Sequence, residues 1–127
     1  MTSVRSCNHC VFEYMYRDAG NWKTFHEVLL AGCIDAAAED VIWSFLGGDG
    51  FFIAEQVGLP PLQPQHLLIY DAIEDEDLDH AFHEFLSLRP ATSEDISAQT
   101  VRGSLHEVLE AMRGIQGRWN ISLSPFA

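Results

Sequence analysis

"CVFEYMYRDAGNWKTFHEVLLA", residues 10–31, decides the fold. From Cys10 to Arg17 the chain alternates: Phe12, Tyr14 and Tyr16 fall on one side, and Val11, Glu13, Met15 and Arg17 on the other. A period of two, rich in aromatic residues, is the pattern of a strand. Asp18, Gly20 and Asn21 are residue types that tolerate turn geometry. Lys23 to Ala31, "KTFHEVLLA", then reads as a second strand. Two strands joined by the five residues 18–22 predict an antiparallel hairpin.

Downstream, Asp35 is a good N-cap, and Ala38, Val41, Ile42, Phe45 and Leu46 follow at the spacing of one helix face. Glu39 and Asp40 take the other face, and "GGDG" at 47–50 ends the helix. "FFIAEQVGLPPLQP" at 51–64 holds a short apolar run that reads as a strand or extended segment, followed by a Pro-rich turn. Pro60, Pro61 and Pro64 exclude a helix interior, and "HLLIY" at 66–70 suits another strand. An acidic loop at 71–79 is expected to lead into a strand over 81–88, although the apolar residues there also fit a helix. A long helix is expected over 92–113, capped by Thr92 or Ser93, with Val101, Leu105, Val108, Leu109 and Met112 as its apolar stripe and Gly103 as its weak point. "RWNISLS" at 118–124 closes the order as a last strand. Hairpins rather than strict strand–helix alternation predict an α+β fold. Its antiparallel sheet has about four to five strands, starting with the hairpin, and two helices pack on one face. Residues 1–127 make a single domain, with about 1–9 as a flexible N-terminus.

Of the residues, 47% are hydrophobic, enough for a core burying roughly two-thirds of the unfolded surface. No apolar run reaches the roughly 18 residues of a membrane span, and none precedes Cys10 as a secretory leader would. Three cysteines without a disulfide framework fit a cytoplasmic protein. The net charge is −12, and it is local: residues 24–88 hold thirteen acids and no Lys or Arg. Such a chain repels nucleic acid and anionic membranes and attracts basic proteins or cations.

"EDEDLDHAFHEF" at 74–85 is the richest stretch for chemistry. His80, His83 and Glu84 carry metal-ligating atoms, with Glu55 or Asp79 as a further ligand or general base. The spacing matches neither the H-E-x-x-H nor the H-x-x-E-H zinc pattern. A solvated acidic turn with two surface histidines is the competing reading. "CNHC" at 7–10 lacks the second cysteine pair of a zinc site and reads as incidental, with a structural or redox role as the alternative. The aromatic row of Phe12, Tyr14 and Tyr16 suits the core side of a sheet. Trp22, at the hairpin turn, suits a partner contact.

Three landmarks, "YMYRDAGNWK" at 14–23, "FFIAEQVGLPPL" at 51–62 and "DHAFHEF" at 79–85, give the chain a resemblance to a group of short, uncharacterised bacterial cytoplasmic proteins. The resemblance implies a small bacterial domain and supplies no catalytic residues. It makes Arg17, Asp18, Asn21, Glu55, His80, His83 and Glu84 a set expected to converge at one end of the sheet. Three readings follow. The first is a non-catalytic interaction module with a protein partner of basic charge. The second is a metal-binding protein or metal-dependent hydrolase built on the DHAFHE segment; a divalent metal is the one cofactor considered. The third is a structural domain that forms homo-oligomers by its hairpin edge or long helix.

Overall fold

The computed structural model describes residues 5–17, 23–34, 37–46, 50–62, 64, 82–115 and 119. Its centre is a mixed five-stranded sheet made of β1 (Arg5–Arg17), β2 (Lys23–Ala31), β3 (Phe51–Phe52), β4 (His83–Thr92) and β5 (Gly103–Ser104), in the order β3-β4-β1-β2-β5. All pairings are antiparallel except β2 with β5. The hairpin forms as its sequence predicts, with Arg17 opposite Lys23 and the ladder running to His9 opposite Ala31. β1 starts earlier than its alternation suggests. Arg5 and Ser6 pair with Thr92 and Ala91, so residues 5–9 are strand rather than a flexible lead-in.

The aromatic row is core. Phe12, Tyr14 and Tyr16 are completely buried, and Phe12 meets Tyr14, Phe52 and Phe85 at ring distances of 5.8, 5.8 and 5.0 Å. Fully burying one aliphatic or Phe side chain is worth about 1.5–3 kcal/mol. Helices α1 (Ala38–Phe45) and α3 (Leu105–Ile115) cover this face: Ala38 and Ile42 of α1, Leu46 just beyond it, and Leu105, Val108 and Met112 of α3 join the same core. The α+β arrangement of two helices on one sheet face is therefore present. A shorter helix, α2 (Ser93–Ala98), buries no residue.

Two expectations are corrected. The helix predicted over 92–113 is two helices separated by an extended stretch. α2 stops where Gln99 turns to φ −130°, ψ 154°. The Arg102 amide then donates to the Leu29 carbonyl at 2.9 Å, and Gly103 and Ser104 pair with Leu30 and Ala31. α3 starts afresh with a capping box: the Ser104 hydroxyl accepts from the Glu107 amide at 3.0 Å, and the Glu107 carboxylate accepts from the Ser104 amide at 3.0 Å. Val101, assigned to the apolar stripe, is exposed. Second, the short apolar run is strand, as expected, but only at Phe51–Phe52, and a 3-10 turn, Ala54–Val57, follows it before the prolines. The strand expected over 81–88 is present as β4 and continues through Pro90. Pro90 has no N–H to give, and it sits where β1 jumps register between Ser6 and Cys10. "HLLIY", the acidic loop and "RWNISLS" lie outside the described residues, apart from Trp119.

Glu39, on the helix face away from the apolar stripe, accepts the Leu88 amide at 2.8 Å and so covers part of the outer edge of β4. Gly50 is fixed by its neighbours: φ is +79°, and an added Cβ would lie 2.5 Å from the Trp43 ring. Gly50→Ala is expected to lower stability by about 1–2 kcal/mol, from left-handed strain and overpacking, as read by urea denaturation. Thr92 caps α2, its hydroxyl accepting from the Asp95 amide at 3.2 Å while Asp95 accepts from the Thr92 amide at 2.8 Å. Thr92→Ala is expected to cost about 1 kcal/mol in the same assay.

Candidate functional site

The face of the sheet away from α1 and α3 carries the charged side chains. The hairpin register alone creates a difficulty there. It sets Arg17 directly opposite Lys23, and Glu13 directly opposite Glu27. Like charges facing each other across strands are destabilising, by roughly 0.2–1 kcal/mol per pair. β4 resolves both. Its Glu84 takes Arg17 in a two-pronged pair, Nε to Oε2 at 2.9 Å and Nη2 to Oε1 at 3.3 Å. Its Arg89 enters between the two glutamates, with Nε 3.4 Å from Glu13 Oε2 and Nη2 3.2 Å from Glu27 Oε2. Arg89 also grips Asp95 of α2 through two bonds of 2.7 and 3.1 Å. Ser87 donates to Glu13, and Gln99 donates to Glu27 at 3.1 Å. Exposed Phe25 and Leu86, 61% and 40% accessible, accompany these charges on β2 and β4.

The Arg89 guanidinium, donating to Asp95 first and foremost, holds the Asp95 carboxyl well below the usual carboxylate range; bonds from the Thr92 amide and hydroxyl add to this, and burial opposes it. A carboxyl depressed in the folded state stabilises fully above its unfolded value of about 3.9, and that contribution is lost as pH falls through the folded value. Asp95→Asn is therefore expected to flatten the fall in stability below about pH 4, as measured by denaturation at a series of pH values.

The set expected to converge divides. Arg17 and Glu84 meet at the hairpin end of the sheet. His83, adjacent to Glu84 in a strand, points to the opposite face and is completely buried. Its Nε2 accepts the Leu62 amide at 2.9 Å, and its ring lies 5.4 to 6.0 Å from Tyr16, Tyr14 and Phe52. Glu55 is on the 3-10 turn, whose Ala54 and Val57 sit in the core on that same opposite side. Asp18, Asn21, Trp22, Asp79 and His80 lie outside the described residues. Among the described residues no three His, Cys, Asp or Glu side chains form a group able to hold a metal. Cys10 is buried and free, its thiol pushed up to about 11 by that burial, whereas exposed Cys33 is disulfide-bonded, against the expectation of no bridge.

Sequence reasoning missed Arg89 and Asp95. The signal was available in the hairpin. Once a five-residue turn fixes Arg17 against Lys23, Glu13 must face Glu27, and a cation is needed between them. Comparison with protein-family models, with curated proteins and with solved structures gave no match. The grouping of these residues therefore stands on geometry. Among the described residues no helix is long and apolar enough to cross a membrane.

Proposed function

We propose that this is a small, non-catalytic interaction module of the cytoplasm whose partner is a basic protein. One observation carries the reading: three of the chain's six arginines are held by its own acids. Arg17 is held by Glu84, Arg89 by Glu13, Glu27 and Asp95, and Arg113 by Glu110. A chain with net charge −12 that pairs these three cations internally keeps a surplus of acids for a partner to neutralise. Steering by such a field speeds association with a cationic protein and weakens as salt rises.

The test is capture from source cells on the immobilised chain, at low and at moderate salt, beside a variant with Glu74, Asp75, Glu76 and Asp77 changed to their amides. A basic protein that is retained by the parent chain, released by salt and lost with the variant is the expected result. Retention of no basic protein at either salt overturns the reading. Compartment is tested separately, because disulfides persist mainly where conditions are oxidising and Cys33 is bonded. The cytoplasmic assignment requires the Cys33 bridge to be open in the cell, so titration of thiols in protein trapped with an alkylating agent on lysis is expected to find all three cysteines reduced there. Blocked thiols overturn that assignment.

A further inference from the structure

We propose that a cleft where β2, β5, the 3-10 turn and α3 meet binds a small aliphatic amino acid, holding its carboxylate and its ammonium group together. The cleft has a volume of about 160 Å³. At roughly 30 Å³ per water, that is room for about five waters, or for an organic molecule of about five to eight non-hydrogen atoms. Its floor is apolar: Leu30, Val57 and Val108 line it, each at most 4% exposed. Gly58, which ends the 3-10 turn at φ +80°, brings no side chain into it.

Two opposite charges, Arg102 and Glu107, line this one cleft without closing on each other. The ion pairs among the described residues take Arg17, Arg89 and Arg113, and Arg102 is in none of them. Its backbone is fixed, because the Arg102 amide donates to the Leu29 carbonyl at 2.9 Å. Its charge bears on the chain beside it: burial is the main influence on Tyr14 and His26, raising the first and lowering the second, and Arg102 lowers both. Glu107 gives one oxygen to the α3 cap, where Oε1 accepts the Ser104 amide at 3.0 Å and the Ser104 hydroxyl at 3.1 Å. Its Oε2 accepts no bond among the described residues. A guanidinium takes a carboxylate through two parallel bonds, and a carboxylate oxygen accepts from an ammonium group. Arg102 alone would suit any small carboxylate. Glu107 beside it disfavours a ligand of purely negative charge and offers an acceptor to an ammonium group. The alkyl group of the ligand would lie against Leu30, Val57 and Val108, and valine is near the upper end of the size that fits. The cleft draws on Glu107 alone of the acids, so this reading stands or falls independently of the basic-partner reading.

The test is titration of the full chain with valine, followed by amide chemical shifts, beside isovalerate, which lacks the ammonium group, and isobutylamine, which lacks the carboxylate. Arg102 and Glu107 are exposed, so each contact is weak, and a dissociation constant on the order of millimolar is expected. Saturable shifts are expected at Gly58, Gly103 and Val108. Isovalerate and isobutylamine are each expected to bind at least about tenfold more weakly than valine. Arg102→Gln and Glu107→Gln are each expected to weaken valine by a similar factor. Glutamine at position 107 still serves the cap, and Arg102→Gln keeps the amide bond to Leu29, so both variants should fold, as circular dichroism checks. No saturable shift at these residues at tens of millimolar valine overturns the proposal. So do analogues of single charge that bind as tightly as valine, and so do folded variants that bind valine as the parent does.

Discussion

Replacing His83 with alanine is expected to remove about 3–5 kcal/mol of stability, the largest loss from any single change considered. The ring is completely buried among Tyr14, Tyr16 and Phe52, so its removal leaves a cavity walled by aromatic groups. Truncating a buried ring to alanine typically costs about 3–5 kcal/mol. The Leu62 amide, bonded to Nε2 at 2.9 Å, would also lose its acceptor, a penalty of roughly 1–3 kcal/mol. Because Nε2 accepts, the ring's proton sits on Nδ1, and Nε2 has no lone pair left for a metal in this arrangement. His83→Phe separates the two terms: it keeps most of the volume and loses the acceptor, so it should cost about 1–3 kcal/mol. Urea denaturation of both variants, with amide exchange at Leu62, reads the difference. The same losses should be measured with and without chelator. A chelator that destabilises the parent chain and not His83→Ala would sink the packing role and restore the metal reading.

Arg89→Met comes second, with an expected loss of about 2–3 kcal/mol. Methionine keeps much of the stem and removes the only cation seen between Glu13 and Glu27 among the described residues. Removing one partner of a buried pair can cost about 3–5 kcal/mol, but the Arg89 side chain is 35% exposed, so water screens part of that loss. The diagnostic is a partial rescue. Adding Glu13→Gln to Arg89→Met removes one of the two facing carboxylates and should return about 0.5–1 kcal/mol. The same Glu13→Gln change in the parent chain should destabilise. A double variant that is less stable than Arg89→Met alone would show that Glu13–Glu27 repulsion plays no part.

Much of the fold could be read locally. The hairpin was legible because Phe12, Tyr14 and Tyr16 keep one period over five residues and the turn types follow at once. α1 was legible from its apolar face. The break between α2 and α3 was hidden because Val101 happens to continue a helical spacing. Its real determinants are a tertiary pairing, Arg102 with Leu29, and a capping box in "SLHE" at 104–107 that has the form of a helix start. Of the candidate site, the charged residues were legible as individuals and Arg17 with Glu84 as members of one set. Their partners were not, because pairing depends on β4 lying beside β1. Adjacent residues in a strand face opposite ways, which is why His83 and Glu84 part company despite being neighbours in sequence.

The contacts that settle the hairpin's charges lie far along the chain, 67 residues apart for Arg17 and Glu84 and 76 for Arg89 and Glu13. Contacts of such long sequence separation slow folding, since a large loop must close before they form. On the ribosome, β1 and β2 emerge together and can pair at once, yet their facing like charges stay unanswered until β4 is made. At about 5–20 residues per second that interval is several seconds. During it the nascent hairpin has an uncovered aromatic row and a bare β1 edge, the two features that invite chaperones or misassembly. Synthesis of the region between them is therefore a period of exposure, and its length sets how long the cell must protect the chain.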